Sequence, residues 1–121
     1  MTTLKVGKVS DFSDRAKVIV SHGDVEIGVF FVKGKFFAYR NMCPHQGGPV
    51  CRGQLINRVV ELLGEDQISV GLEFSPDDVH IVCPWHGYEF NVETGVHPGK
   101  SDVRLKPYPV EVIDGEVFVV V

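Results

Sequence analysis

Three short apolar runs open the chain. "KVIVSH" (17–22), "VEIGVFFVKG" (25–34) and "KFFAYRN" (35–41) are rich in β-branched and aromatic residues, and the breaks "HGD" and "KGK" separate them. Runs of that kind between glycine-bearing breaks predict strands joined by tight turns, hence two hairpins in the first forty residues. The carboxy-terminal stretch "VRLKPYPVEVIDGEVFVVV" (103–121) repeats the style, with Asp114-Gly115 as its hairpin turn because both residues tolerate positive φ. Pro107 and Pro109 place the first of its two extended runs at a sheet edge or at the entry to one. In "LINRVVELLGEDQISVGLEF" (55–74) the pattern is ambiguous. Leu55, Val59, Leu62 and Leu63 are compatible with a helical face, whereas "GEDQ" between two apolar runs is compatible with a hairpin, the reading favoured here.

The predicted fold class is therefore all-β. Composition supports it, with 13 glycines and 7 prolines among 121 residues, a length suited to one domain, taken as 1–121. Glycine, proline, cysteine and histidine concentrate between about 41 and 100, which marks a loop region inserted between β-rich flanks. The beginning of the chain has no basic segment followed by a long apolar one, and no run approaches the roughly 18 apolar residues of a membrane span. A cytoplasmic protein without a membrane partner is expected.

Charge adds one asymmetry. The net charge is −4, and the stretch from Arg52 to Ile81 carries all of it, with Glu61, Glu65, Asp66, Glu73, Asp77 and Asp78 against Arg52 and Arg58. No basic patch is visible, which argues against a nucleic-acid partner. This acidic stretch, about 52–80, is either a docking surface or a solvated decoration.

The chemistry lies in two phrases. "CPH" (43–45) and "CPWH" (83–86) pair Cys43 with His45 and Cys83 with His86. Three cysteines, an odd number without a secretory leader, point to reduced thiols rather than a disulfide framework. Two thiolates and two imidazoles suit zinc or an iron–sulfur centre. A structural zinc site takes each ligand pair from a turn with two or more intervening residues, and C-x-H is short for two ligands converging on one ion. The unequal arms are better explained by a [2Fe–2S] cluster with both thiolates on one iron and both imidazoles on the other.

"CPHQGGPV" and "CPWHGYEFNVETG" resemble the two cluster-binding loops of the Rieske iron–sulfur family, and "KFFAYRNMCPH" and "YPVEVIDGEVFVVV" resemble the strand before the first loop and the closing hairpin. The resemblance covers most of the chain apart from residues 52 to 80. It implies an antiparallel β sandwich with one cluster per chain at its tip, and Cys43, His45, Cys83 and His86 as ligands. Gly47, Gly48 and Gly87 would let backbone amides approach the cluster sulfurs, and Pro44 and Pro84 would stiffen the turns. Respiratory members carry a disulfide between the loops at places that are Gly48 and Trp85 here, and a serine where this chain has Tyr88. Without those groups the potential is expected toward the lower end of the Rieske range of roughly −150 to +300 mV. The 37 residues from Gln46 to Val82 exceed the interval usual in small soluble members.

Other candidates have plainer readings. Cys51 is read as a small buried apolar residue, and His22 as a surface turn residue. His80 and His97 could join Asp77 or Asp78 in a mononuclear iron site, but too little chain follows the second loop to house one. His97 is read instead as part of a loop over the cluster. Trp85 and Tyr88 could form an electron conduit, but on the plainer reading Trp85 shields the cluster or forms a docking rim and Tyr88 packs or donates a hydrogen bond. No nucleophile or acid–base pair is legible. The resemblance implies a ferredoxin that carries electrons from a flavin-dependent reductase to a terminal oxygenase through transient contacts. The alternatives are the small subunit of a larger oxidoreductase, such as a nitrite reductase, and a non-catalytic redox sensor.

Overall fold

The structure, a computed structural model, describes residues 2–44, 47–63, 69–84 and 88–121, with side chains at 58–63, 69–77 and 101 outside the description. Strand β1 (Thr3–Lys8) leads through a 3-10 turn to the meander β2 (Ala16–His22), β3 (Val25–Val32) and β4 (Lys35–Arg40). The middle of the chain forms β5 (Gln54–Leu63), β6 (Ser69–Val82), β7 (Glu89–Asn91), β8 (Val96–His97) and β9 (Lys100–Arg104). The chain closes with β10 (Pro107–Tyr108), β11 (Val110–Ile113) and β12 (Glu116–Val120). Among the described residues there is no α-helix, so the all-β expectation holds.

The turns form where the residues permit. Lys33 and Gly34 (φ 53° and 78°) join β3 to β4, and Asp114 and Gly115 (φ 51° and 77°) join β11 to β12. Positive φ at both central residues matches the right-handed twist of the flanking strands. The two early hairpins share β3, whose neighbours are β2 and β4. The carboxy-terminal run expected as one extended segment is divided between the end of β9, β10 and β11. Pro107 lies in β10 at the edge of the sheet ordered β10-β4-β3-β2, where a missing N–H costs no ladder bond.

That sheet carries a core on each of its faces. Side chains alternate along a strand, so Ile27 and Val29 of β3 join Ala38 and Val119 in one cluster. Phe30 and Val32 point the other way and join Tyr39, Cys43, Cys51, Ile81, Cys83 and Phe90. The first core is covered by the sheet ordered β1-β12-β11, and the second by the β5-β6-β7 module. Both candidate cysteine ligands therefore belong to one core.

The ambiguous middle segment holds the antiparallel pair β5–β6, and the "GEDQ" residues (64–67) expected as its turn lie outside the described residues. Its register runs from Gln54↔Val82 to Asn57↔Val79, then jumps to Val59↔Phe74. Pro76 falls within the strand residues passed over by that jump, a bulge that accommodates a residue unable to donate to the ladder. Lys17 of β2 and Arg15 just before that strand hold the start of β5. Lys17 Nζ donates to the Gly53 carbonyl at 2.5 Å, and the Arg15 guanidinium donates to the Leu55 carbonyl at 3.5 Å and to Asn57 Oδ1.

Gly28 faces Cys51 across the second core, and a Cβ there would overlap the Cys51 Cβ and lie 2.6 Å from its Sγ. Close-packed interiors resist such insertions. Gly28→Ala is therefore expected to lower unfolding stability by about 1–3 kcal/mol, measured by urea titration. An unchanged midpoint would contradict this packing.

Candidate metal centre

Each candidate loop begins at a buried cysteine and is closed by backbone hydrogen bonds. The Cys43 N–H donates to the Gly48 carbonyl, and the Gly47 N–H donates to the Cys43 carbonyl, both at 2.7 Å. In the second loop the Cys83 N–H donates to the Tyr88 carbonyl at 2.8 Å. Cys43 and Cys83 are 2% and 1% exposed. Neither is in a disulfide. Pro44 and Pro84, the next residue in each loop, are exposed, so each loop passes from core to surface within one residue.

The loops are brought side by side by the pairing of β5 with β6. Val82, immediately before Cys83, lies opposite Gln54. Gly53 packs so closely on the Val82 carbonyl that a Cβ at that position would overlap the oxygen. A groove of about 560 Å³ runs alongside, lined by Arg52, Gly53, Gln54, Ile56, Val82, Cys83 and Pro84.

The first loop is pinned by a residue that sequence reasoning missed. Asn41 donates from its backbone N–H to the Glu26 carbonyl (2.8 Å) and from Nδ2 to Glu26 Oε1 (3.0 Å), while its Oδ1 accepts the Cys51 N–H at 2.8 Å. One side chain thus ties together the residues that precede and follow the loop. The only hint in the sequence is the type of residue, since asparagine commonly satisfies nearby backbone groups in turns.

Cys51 is fully buried, and its Sγ donates to the Tyr39 and Arg40 carbonyls at 3.5 and 3.8 Å. Burial pushes its thiol up to about 12. It stays protonated near neutral pH, in line with its reading as a packing residue. His80 is also buried, and its Nδ1 lies 3.1 Å from Glu89 Oε1. His97 Nδ1 donates to the Glu89 carbonyl at 2.8 Å, and its ring stacks on Tyr88. Each contact engages one ring nitrogen, and the side chain of Asp77, named with these histidines as a candidate iron ligand, lies outside the description. His22 is exposed at the end of β2, as expected.

His45, His86 and Trp85 lie outside the described residues. Among the described residues no three histidine, cysteine or carboxylate side chains are gathered for a metal ion. Two buried thiols in one core, each at the start of a closed loop, nevertheless fit the sulfur-ligated half of a two-iron cluster. No helix among the described residues is long and apolar enough to cross a membrane.

The family model for the Rieske [2Fe-2S] domain matches residues 2–109. The chain belongs to that family, which makes it an iron–sulfur electron-transfer protein with a [2Fe–2S] cluster as the implied cofactor. It is 25% identical over 111 residues to the ferredoxin component of the alkene monooxygenase system of Xanthobacter autotrophicus, covering 92% of this chain and 75% of that one. Among solved structures it is similar to a chain in the complex of reduced oxygenase and oxidized ferredoxin in carbazole 1,9a-dioxygenase, at 28% identity and a TM-score of 0.70, covering 97% of this chain and 91% of that one. A nitrite reductase small subunit from Mycobacterium tuberculosis shares the fold at 17% identity and a TM-score of 0.71, covering 98% and 93%.

Asn41→Ala removes the acceptor of the part-buried Cys51 N–H and should cost about 1–3 kcal/mol of stability, with faster loss of iron to a chelator. Wild-type values in both the urea titration and the chelator assay would show that Asn41 does not pin the loop.

Proposed function

We propose that this chain is a single-domain, cytoplasmic one-electron carrier that takes electrons from a flavin-dependent reductase and delivers them to a terminal oxygenase. The observation that carries the reading is the pair of buried cysteines held in adjacent closed loops, with a histidine two residues after Cys43 and another three residues after Cys83. Cys43 and Cys83 would hold one iron and His45 and His86 the other, one cluster per chain, and the bound cluster accepts and releases a single electron. The oxygenase-system ferredoxins to which the chain is similar support the choice of partners. Three thiols outside any disulfide support a reducing compartment.

The residues around the loops perform three tasks. The core beneath Cys43 and Cys83 keeps water from the sulfur side, where solvent would alter the potential. Backbone hydrogen bonds at both cysteines fix the loops, so little rearrangement accompanies a change of charge. Met42, Pro44 and Pro84 are exposed beside the two cysteines and give a partner a small apolar landing area. Contacts of that size suit a short-lived redox encounter.

The acidic strands β5 and β6 extend from the same loops, and we assign them to docking on a basic patch of the reductase or the oxygenase. Stopped-flow transfer from reductase to this protein should slow as salt rises. Neutralising Glu61, Glu65, Asp66, Asp77 and Asp78 together should slow it by roughly tenfold at low salt and flatten that dependence. Unchanged rates and slope would return the strands to the status of solvated decoration. Stoichiometric co-elution with a larger oxidoreductase would favour the subunit alternative.

A further inference from the structure

We propose that His97 is a positioning residue for the second cluster loop and thereby tunes the reduction potential, an inference that rests on Cys83 and His86 being ligands. The loop is closed by the bond from the Cys83 N–H to the Tyr88 carbonyl at 2.8 Å, so the placement of Cys83 depends on what holds Tyr88. His97 engages three consecutive residues there. Its ring is stacked on Tyr88, with centroids 4.2 Å apart and planes 7° from parallel. Its Nδ1 lies 2.8 Å from the Glu89 carbonyl oxygen, which can only accept, so that nitrogen carries the proton. Its edge meets Phe90 at 6.1 Å and 61°.

The brace is itself anchored. Glu89 is held from its other end by His80, which is 2% exposed and 3.1 Å from the carboxylate. His97 belongs to β8, which pairs with β9 in a separate two-stranded sheet. One imidazole therefore fastens the returning end of the loop to a different part of the fold. The potential of an iron–sulfur centre depends on hydrogen bonds to its sulfurs and on solvent access. A loop released at Tyr88 holds its backbone N–H groups less firmly against the cluster sulfurs, and the loss of those hydrogen bonds disfavours the more negative reduced state.

The test compares wild type with His97→Ala, with His97→Phe, which retains a stacking ring but has no N–H, and with His22→Ala as a control for loss of a distant histidine. Midpoint potential is read by film voltammetry and iron loss by chelator capture. Fluorescence anisotropy of Trp85, the only tryptophan, reports loop mobility with and without iron. Removing the brace should lower the potential, speed iron loss by roughly fivefold, the factor for one net hydrogen bond, and lower Trp85 anisotropy even in the iron-free protein. His97→Phe should show a smaller change in the same direction, and His22→Ala none. Wild-type values for His97→Ala overturn the proposal, as do wild-type values for His97→Phe if His97→Ala does not fold. A wild-type protein with no two-iron signal would instead overturn the ligand assignment.

Discussion

The contact between Gly53 and the Val82 carbonyl is the constraint on which the rest of the site depends. Gly53 follows the first loop and Val82 precedes Cys83, so their close approach brings the exit of one loop against the entry of the other. A side chain at residue 53 would wedge the two apart. From the same contact follow the start of the β5–β6 ladder, the groove beside Cys83, and the reach of Lys17 to the Gly53 carbonyl. A separation set by backbone contact leaves little room for the two cysteines to drift.

The central sheet explains why such a site can sit on a small scaffold. With a core on each face, β3 is buried almost throughout, and Gly28 leaves room for Cys51. One face ties β3 and β4 to the terminal strands, and the other supports the cysteines. A frame of this kind suits electron transfer, since Cys43 and Cys83 are buried in it while Pro44 and Pro84 beside them are exposed to a partner. The fastening is asymmetric. Asn41 spans the first loop from beneath, while the second is met by the stack of Tyr88 on His97.

Much of this was legible in the residues. Asp114-Gly115 and the "KGK" break marked their turns because positive φ restricts which residues can occupy them. The two cysteine–histidine phrases at 43–45 and 83–86 pointed to the family that the Rieske domain model matches, because ligand geometry constrains spacing. Less legible was anything decided by contacts between distant segments. The "GEDQ" segment suggested a hairpin, but the local pattern left a helix open, since Leu55, Val59, Leu62 and Leu63 also fit one helical face. Asn41 and the pairing of His80 with Glu89 depend on strands that meet only after folding. His97 was associated with the cluster loops from its neighbourhood in sequence, but its stack on Tyr88 follows from the placement of β8 beside β7.

The central claim is a two-iron cluster with two thiolate and two imidazole ligands on this chain. Pulsed electron paramagnetic resonance of the reduced protein, combined with iron and sulfide analysis, tests it most directly. Two irons and two sulfides per chain are predicted, with hyperfine coupling from two imidazole nitrogens, one of which disappears in each of His45→Cys and His86→Cys. A zinc-loaded, silent protein, or a two-iron signal without nitrogen coupling, would contradict it.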